Sequence, residues 1–315
     1  MRLVTRSDFD GLGCAAILKE KGIIDDIKFV HPKDIQDGKI EITCDDILAN
    51  VPLVPGCGLW FDHHSSELER SISDNFEGCC EPSAPSASRV VYEYYGGLEN
   101  FKNPHLDNLI CAVDKADAAR FSKEEILNPE GWVLVSFIMD PRTGLGRYKD
   151  YRISNYALMM DMIDYCRNKT VQEILEIPDI KERTVRYFEQ DKLFRQMLLE
   201  NSRMEGNVVV LDLREQDEIY TGNRFLLYSL FPDANISMQI MWGFRRRNIV
   251  ITCGYSILNH TASADVGSLM LKYSGGGHKR AGTCQVPSDK ADDIIKEISE
   301  ELNTRSSSNK DNQLL

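Results

Sequence analysis

Leu59-Trp60-Phe61-Asp62-His63-His64-Ser65 is the stretch whose reading decides the rest of the chain. An apolar run of strand character ends abruptly in a carboxylate and two adjacent imidazoles. A strand end is a rigid edge. Asp-His-His placed there offers hard oxygen and borderline nitrogen donors, a set that suits a divalent metal such as Mn²⁺ or Zn²⁺. The competing reading is a strand-end turn with two solvated histidines. A second acidic stretch upstream, Asp8-Phe9-Asp10, weighs against it.

Upstream, Leu3-Val4-Thr5 is a short β-type run, Arg6–Gly13 carries the two acids and two glycines, and Cys14–Glu20 reads as helix. Strand, glycine-bearing turn and helix open a βαβ unit, and open parallel sheets hold ligands at the carboxyl ends of their strands. Asp8 and Asp10 alternate, so in an extended segment both point the same way. Two such carboxylates repel unless a cation sits between them. An Asx turn capping the helix is the plainer alternative. Ile27–His31 looks like the next strand, Lys33–Asp46 is charged and resists assignment, and Ile47–Pro52 is another short apolar run.

Downstream, Ser86 is placed to cap a helix over Ala87–Tyr95 that stops at Gly96-Gly97. A helix over roughly His105–Ala116 delivers another pair of acids, Asp114 and Asp117. The stretch from Leu127 to Arg167 reads as mainly helical, broken by the basic loop Pro141–Gly146. Lys181–Arg203, without glycine or proline, reads as a helical connector. Asn207–Asp212 then restarts β structure, and Ile236–Ile240 and Ile249–Cys253 resemble strands paired around Arg245-Arg246-Arg247-Asn248. Gly275-Gly276-Gly277 lets backbone approach a ligand closely and present N–H groups to an anion, with His278 and Arg280 alongside.

The expected architecture is therefore α/β: an N-terminal doubly wound, mainly parallel sheet domain over residues 1–180, a connector over 181–204, and a smaller α+β domain over 205–302 with an antiparallel sheet. A cleft is expected between the two domains, and a disordered tail over 303–315. The chain has 315 residues, is 42% hydrophobic and carries a net charge of −12. Length favours two domains, and acidity argues against broad binding to duplex nucleic acid. Nine scattered cysteines read as reduced thiols of a cytoplasmic protein. No signal peptide is apparent, and no apolar run approaches the ~18 residues of a membrane span.

Taken together, these residues resemble the DHH family of phosphoesterases with its C-terminal DHHA1 domain, in the branch of exopolyphosphatase-related proteins. Asp62-His63-His64 resembles the name-giving motif, Asp8-Phe9-Asp10 the first acidic motif, Asp117 with Phe121 the fourth-motif aspartate, and Gly275–His278 the DHHA1 glycine loop. The resemblance spans nearly the whole chain. It implies a two-metal hydrolase, usually using Mn²⁺ though Mg²⁺ or another divalent ion also serves. Carried over by motif, Asp10, His63 and Asp117 would serve one metal and Asp8 the other, with Asp62 in the motif and Asp114 a further acid. His64 would lie near the leaving or nonbridging oxygens. His278, Arg280 and the glycines would hold the anionic end of the substrate, with Arg224 a weaker candidate.

Two positions depart from the family pattern. Arg6 stands where the family has a histidine and cannot ligate a metal. The second-motif aspartate falls on Asn50 by the strand-end argument, with Asp46 the alternative. The site is then expected to hold one ion, or to use Arg6 in place of a cation. The leading reading is hydrolysis of a phosphoanhydride or phosphodiester in polyphosphate, a short single-stranded oligoribonucleotide, a bisphosphorylated nucleotide or a cyclic dinucleotide. The alternative is a non-catalytic phosphate-ligand sensor with a damaged metal site. An exonuclease component is a third reading, and homodimer formation stays open.

Overall fold

Apolar runs of three to five residues, each returned through a helix or long loop, re-enter a sheet in the same direction, which dictates parallel pairing. The computed structural model describes residues 1–70 and 75–311. It shows five such strands: β1 (Arg2–Arg6), β2 (Asp26–Val30), β3 (Asp46–Ala49), β4 (Leu59–Asp62) and β5 (Gly78–Cys80). They pair in parallel throughout, in the order β2-β1-β3-β4-β5. That is a doubly wound order, and its strand sequence reverses between β1 and β3, the crevice where such sheets take ligands. Asp8 follows β1 and Asn50 follows β3, so both lie at that switch point.

Strand residues alternate between two covered faces. Val4, Leu48 and Trp60 pack with Val30 and Ile35 on one side. The intervening Leu3, Ile47 and Phe61 are equally buried, and Phe61 stacks edge-on against Tyr94 at the end of helix Ala87–Tyr94. Helix Phe9–Glu20 packs on β1 and on helices Ala87–Tyr94, Pro104–Asp117 and Asn155–Asn168.

The chain divides into two compact units, Met1–Phe121 with Pro129–Tyr187, and Ser122–Asn128 with Phe188–Leu315. The second holds a six-stranded sheet of β6 (Ser202–Glu205), β7 (Val208–Asp212), β8 (Ile236–Trp242), β9 (Ile249–Tyr255), β10 (Gly276–His278) and β11 (Ala281–Val286), in the order β10-β11-β9-β8-β7-β6. Its core joins Val208, Val210, Met238, Ile251 and Cys284 to Ile298 and Leu302 of the last helix.

Several elements differ from the expectations above. Helix Phe9–Glu20 begins five residues before Cys14, because the Asp8 carboxylate caps it by accepting the Gly11 N–H at 2.9 Å. Asp10 is thus in a first helical turn, not one strand step from Asp8. The second sheet is mixed: β7 and β8 run parallel because the segment between them crosses through helix Leu226–Leu230. The segment set apart as a disordered tail at Asn303 continues the helix Ala291–Asp311; its last residues, 312–315, lie outside the described residues. The long connector is a helix over Pro178–Asn201, opened by proline at its first position. All nine cysteines are free. Among the described residues no helix is long and apolar enough to cross a membrane.

Candidate metal centre

Asp10 is held at the bottom of the site by a helix start. Its two carboxylate oxygens accept the backbone N–H groups of Ala87 (2.9 Å) and Ser88 (2.8 Å), at the N-terminus of the helix capped by Ser86. Those N–H groups have no partner within the helix, and the helix dipole favours a negative charge there. Ser88 Oγ donates to the Asp10 carbonyl at 2.7 Å and completes the clasp.

β4 then supplies the second part. Asp62 is fully buried, and its Oδ1 accepts three hydrogen bonds: from His63 N (2.7 Å), His64 N (3.0 Å) and His64 Nδ1 (2.6 Å). Its Oδ2 is buried with no hydrogen-bond partner. His63 Nδ1 lies 3.2 Å from the Ala84 carbonyl. In the neutral ring that bond places the proton on Nδ1 and turns Nε2 toward the acids, the arrangement by which a backbone carbonyl fixes a metal-ligating tautomer. Nε2 is 3.2 Å from Asp117 Oδ2 and 4.0 Å from Asp10 Oδ2, yet makes no well-aligned hydrogen bond.

Asp10, His63 and Asp117 each bring one ligand atom, and these atoms lie within 4.8 Å of one another; Asp62, His63 and His64 form a second such group. The residues fit a divalent cation. Their donors are carboxylate oxygens and imidazole nitrogens, and two buried polar atoms are left unsatisfied, a costly state without a ligand. The electrostatics agree. Burial, then the neighbouring Asp117, pushes Asp10 above the usual carboxylate range. Burial acts to lower His63, but its contact with Asp117 and the charge of Asp10 outweigh that and hold it raised. His64 is raised by its hydrogen bond to Asp62. A cluster that retains protons in this way is one from which a cation displaces them.

Not every acid named from the sequence reaches this centre. Asp46 stands at the amino end of β3, in register with Arg2, the end of the strand away from Asn50. Its carboxylate takes Arg2 Nε at 2.6 Å and Thr43 N at 2.7 Å, so it is a structural ion pair and not a second-motif ligand. Asn50 donates from Nδ2 to Asp8 Oδ1 at 3.2 Å, and Arg6 Nε lies 2.9 Å from Asp8 Oδ2. Asp114, one turn before Asp117, is engaged by Arg89 Nη2 at 2.6 Å and by Ser86 Oγ at 2.7 Å, and it braces the helix start that clasps Asp10. Sequence reasoning gave no role to Arg142. It hydrogen-bonds Asp140 at 2.8 Å, and its charge bears on Asp8 and Asp117. Only its place in a basic loop pointed to it.

In the second unit the glycine stretch is a hairpin rather than an open loop: β10 pairs with β11, Gly277 opposite Gly282 and His278 opposite Ala281. A Cβ on Gly277 (φ 153°) would come within 2.2 Å of the Ala281 carbonyl oxygen, so only glycine closes this turn. His278 and Arg280 are exposed on it. Arg224 lies over the Phe225 ring at 4.3 Å. The same segment carries Tyr228, whose hydroxyl donates to Gly254 O at 3.2 Å on the strand paired with Ala281.

A scan against models of protein families finds no match, and no curated protein matches the sequence. Among solved structures the chain is similar to a pGpG-specific phosphodiesterase, PggH, from Vibrio cholerae, with 47% identity, a TM-score of 0.85, and coverage of 96% of this chain and 99% of that one. It is also similar to RecJ from Thermus thermophilus in complex with Mn²⁺, at 11% identity and a TM-score of 0.52 over 98% of this chain and 52% of that one. The RecJ likeness shows a shared fold.

Proposed function

The chain belongs to the DHH family of phosphoesterases, and we propose that it hydrolyses the phosphodiester bond of pGpG or of a similarly short, 5′-phosphorylated oligonucleotide. It is a divalent-metal-dependent phosphohydrolase. The observation that carries the substrate reading is the full-length likeness, at 47% identity, to a phosphodiesterase specific for pGpG. The net charge of −12 supports it, since a small substrate can be met by a local cationic group while a long polyanion would be repelled.

In this reading Asp10, His63 and Asp117 hold the ion, preferably Mn²⁺. Asp62 orients His64 through its short bond to Nδ1 and leaves Nε2 toward the scissile phosphate. A bound divalent ion supplies an activated water and polarises a phosphoryl oxygen. The Ala84 carbonyl keeps the His63 tautomer that binds, and the Ala87 and Ser88 N–H groups keep Asp10 in place. The second unit is read as the DHHA1 substrate-binding domain, with His278, Arg280 and Arg224 meeting the anionic end of the substrate, in a cytoplasmic enzyme. The non-catalytic sensor reading gains nothing from the convergence of Asp10, His63 and Asp117.

The test is release of guanosine monophosphate from pGpG with and without Mn²⁺, by wild type and Asp62→Ala, beside short polyphosphate, a bisphosphorylated nucleotide and a cyclic dinucleotide. The expected result is metal-dependent turnover of pGpG above the other three, lost in Asp62→Ala. Equal turnover by wild type and variant, or preference for another member of the panel, refutes the reading.

A further inference from the structure

Asp8 stands at the switch point of the sheet, yet three of the roughly four lone-pair sites of its carboxylate are taken by nitrogen donors. Oδ1 accepts the Gly11 N–H at 2.9 Å and Asn50 Nδ2 at 3.2 Å. Oδ2 pairs with Arg6 Nε at 2.9 Å. Neither neighbour can ligate a metal through those atoms, because a guanidinium and an amide nitrogen carry donor hydrogens only. Asn50 is fixed in this role: it is 4% exposed, at φ 56°, with its own N–H donating to Phe61 O at 3.0 Å. Asp10, His63 and Asp117 present the opposite picture, with Nε2 buried and unpartnered among carboxylates, and Asp62 Oδ2 in the same condition.

Two-ion phosphoryl chemistry needs a second cation about 3.5–4 Å from the first to neutralise the transferring group. Beside Asp8 a fixed positive charge already occupies the side where such an ion would bind. The Arg6 side chain is 41% exposed, so with Nε anchored its terminal nitrogens remain open to a ligand. Arg142 adds a second guanidinium whose charge bears on Asp8 and Asp117.

We infer that this chain gathers one catalytic cation, at Asp10, His63 and Asp117, and that the Arg6 guanidinium takes the electrostatic place of a second by binding a nonbridging oxygen of the substrate phosphate. The inference rests on the hydrolase reading above and specifies its site. A guanidinium binds phosphate through paired, charge-assisted N–H groups. Its charge does not depend on the supply of a second ion, so activity should saturate with a single Mn²⁺ per chain.

The experiment is equilibrium Mn²⁺ titration of the full chain, read by electron paramagnetic resonance of the free ion, followed by inorganic phosphate binding to the loaded protein. Wild type should bind one Mn²⁺. The double variant Arg6→His with Asn50→Asp, which replaces both donors by ligands, should bind two. Arg6→Ala should still bind one, with phosphate affinity lowered by about 10- to 100-fold, the loss of a charge-assisted bond, and Arg6→Lys should recover part of it. Two ions per wild-type chain, or unchanged phosphate affinity in Arg6→Ala, overturns the inference and leaves the hydrolase reading intact. Absence of Mn²⁺ binding in wild type overturns both.

Discussion

Gly11→Ala sets two physical effects against each other at the turn that creates the site. Gly11 is the third residue of helix Phe9–Glu20, and helix propensity alone favours alanine there by about 1 kcal/mol. The structure opposes it. An added Cβ would lie 1.9 Å from the Arg6 carbonyl oxygen and 2.9 Å from Thr5 Oγ1. A carbon-to-oxygen contact normally settles at about 3.3–3.6 Å, so the helix start must retreat from β1 by roughly an ångström or more. The obstacle is backbone and cannot rotate away, which puts the cost at the upper part of the ~1–3 kcal/mol range for overpacking, or beyond it. Subtracting the propensity gain leaves a net loss of about 2 kcal/mol. The displaced turn carries Asp8 and Asp10, and a misplacement of about 1 Å costs on the order of 100-fold in rate. Urea unfolding and pGpG turnover at saturating Mn²⁺ measure both numbers. Gly276→Ala is the steric control for the unfolding measurement alone, since a Cβ there meets nothing within 4 Å but the glycine belongs to the stretch assigned to substrate. A Gly11→Ala protein as stable as wild type, with normal turnover, would refute the close approach of helix and strand on which the site geometry depends.

Asp46→Asn should cost about 1–3 kcal/mol while leaving Mn²⁺ affinity unchanged. Burial works against the Asp46 carboxylate, but Arg2 and Thr43 outweigh it and hold it below the usual range. Its stabilisation is therefore present above the unfolded value near ~4 and lost as pH falls through the lower folded value. Acid unfolding of the variant should lack that part of the wild-type transition; an unchanged acid limb contradicts it. Asp10 and His63 are both raised without a cation, so the metal-free protein loses their contribution as pH rises through their folded values, and bound metal offsets that loss. The thermal shift produced by Mn²⁺ should be larger at about pH 8.5 than at about pH 6, values bracketing the ordinary histidine range; equal shifts would sink this account. His278→Ala should raise KM for pGpG with Mn²⁺ content unchanged, and a fall in metal content would contradict its assignment to substrate. Arg142→Ala should weaken phosphate binding by about 10-fold or more if its guanidinium reaches the ligand, with calorimetry as the readout; unchanged affinity assigns it to Asp140 alone.

Much of this site is written in short stretches. Asp62-His63-His64 closes an apolar strand, Asp8 and Asp10 follow β1 through a glycine turn, and Ser86 caps its helix, all because strand runs, caps and turns are set by neighbours a few residues apart. The choice among acids is not local. Asp46 and Asn50 bracket the same short strand; the strand-end argument favours Asn50, and the β1–β3 register, which pairs Asp46 with Arg2 at the far end, decides it. Asp114 and Asp117 share a helix one turn apart, and Arg89 and Ser86, brought in from another helix and its cap, engage the first. Sequence alone determined which chemical groups this protein carries and on which kinds of element. The tertiary structure decided which of them meet, because pairing across dozens of residues depends on strand order and packing that no local stretch encodes.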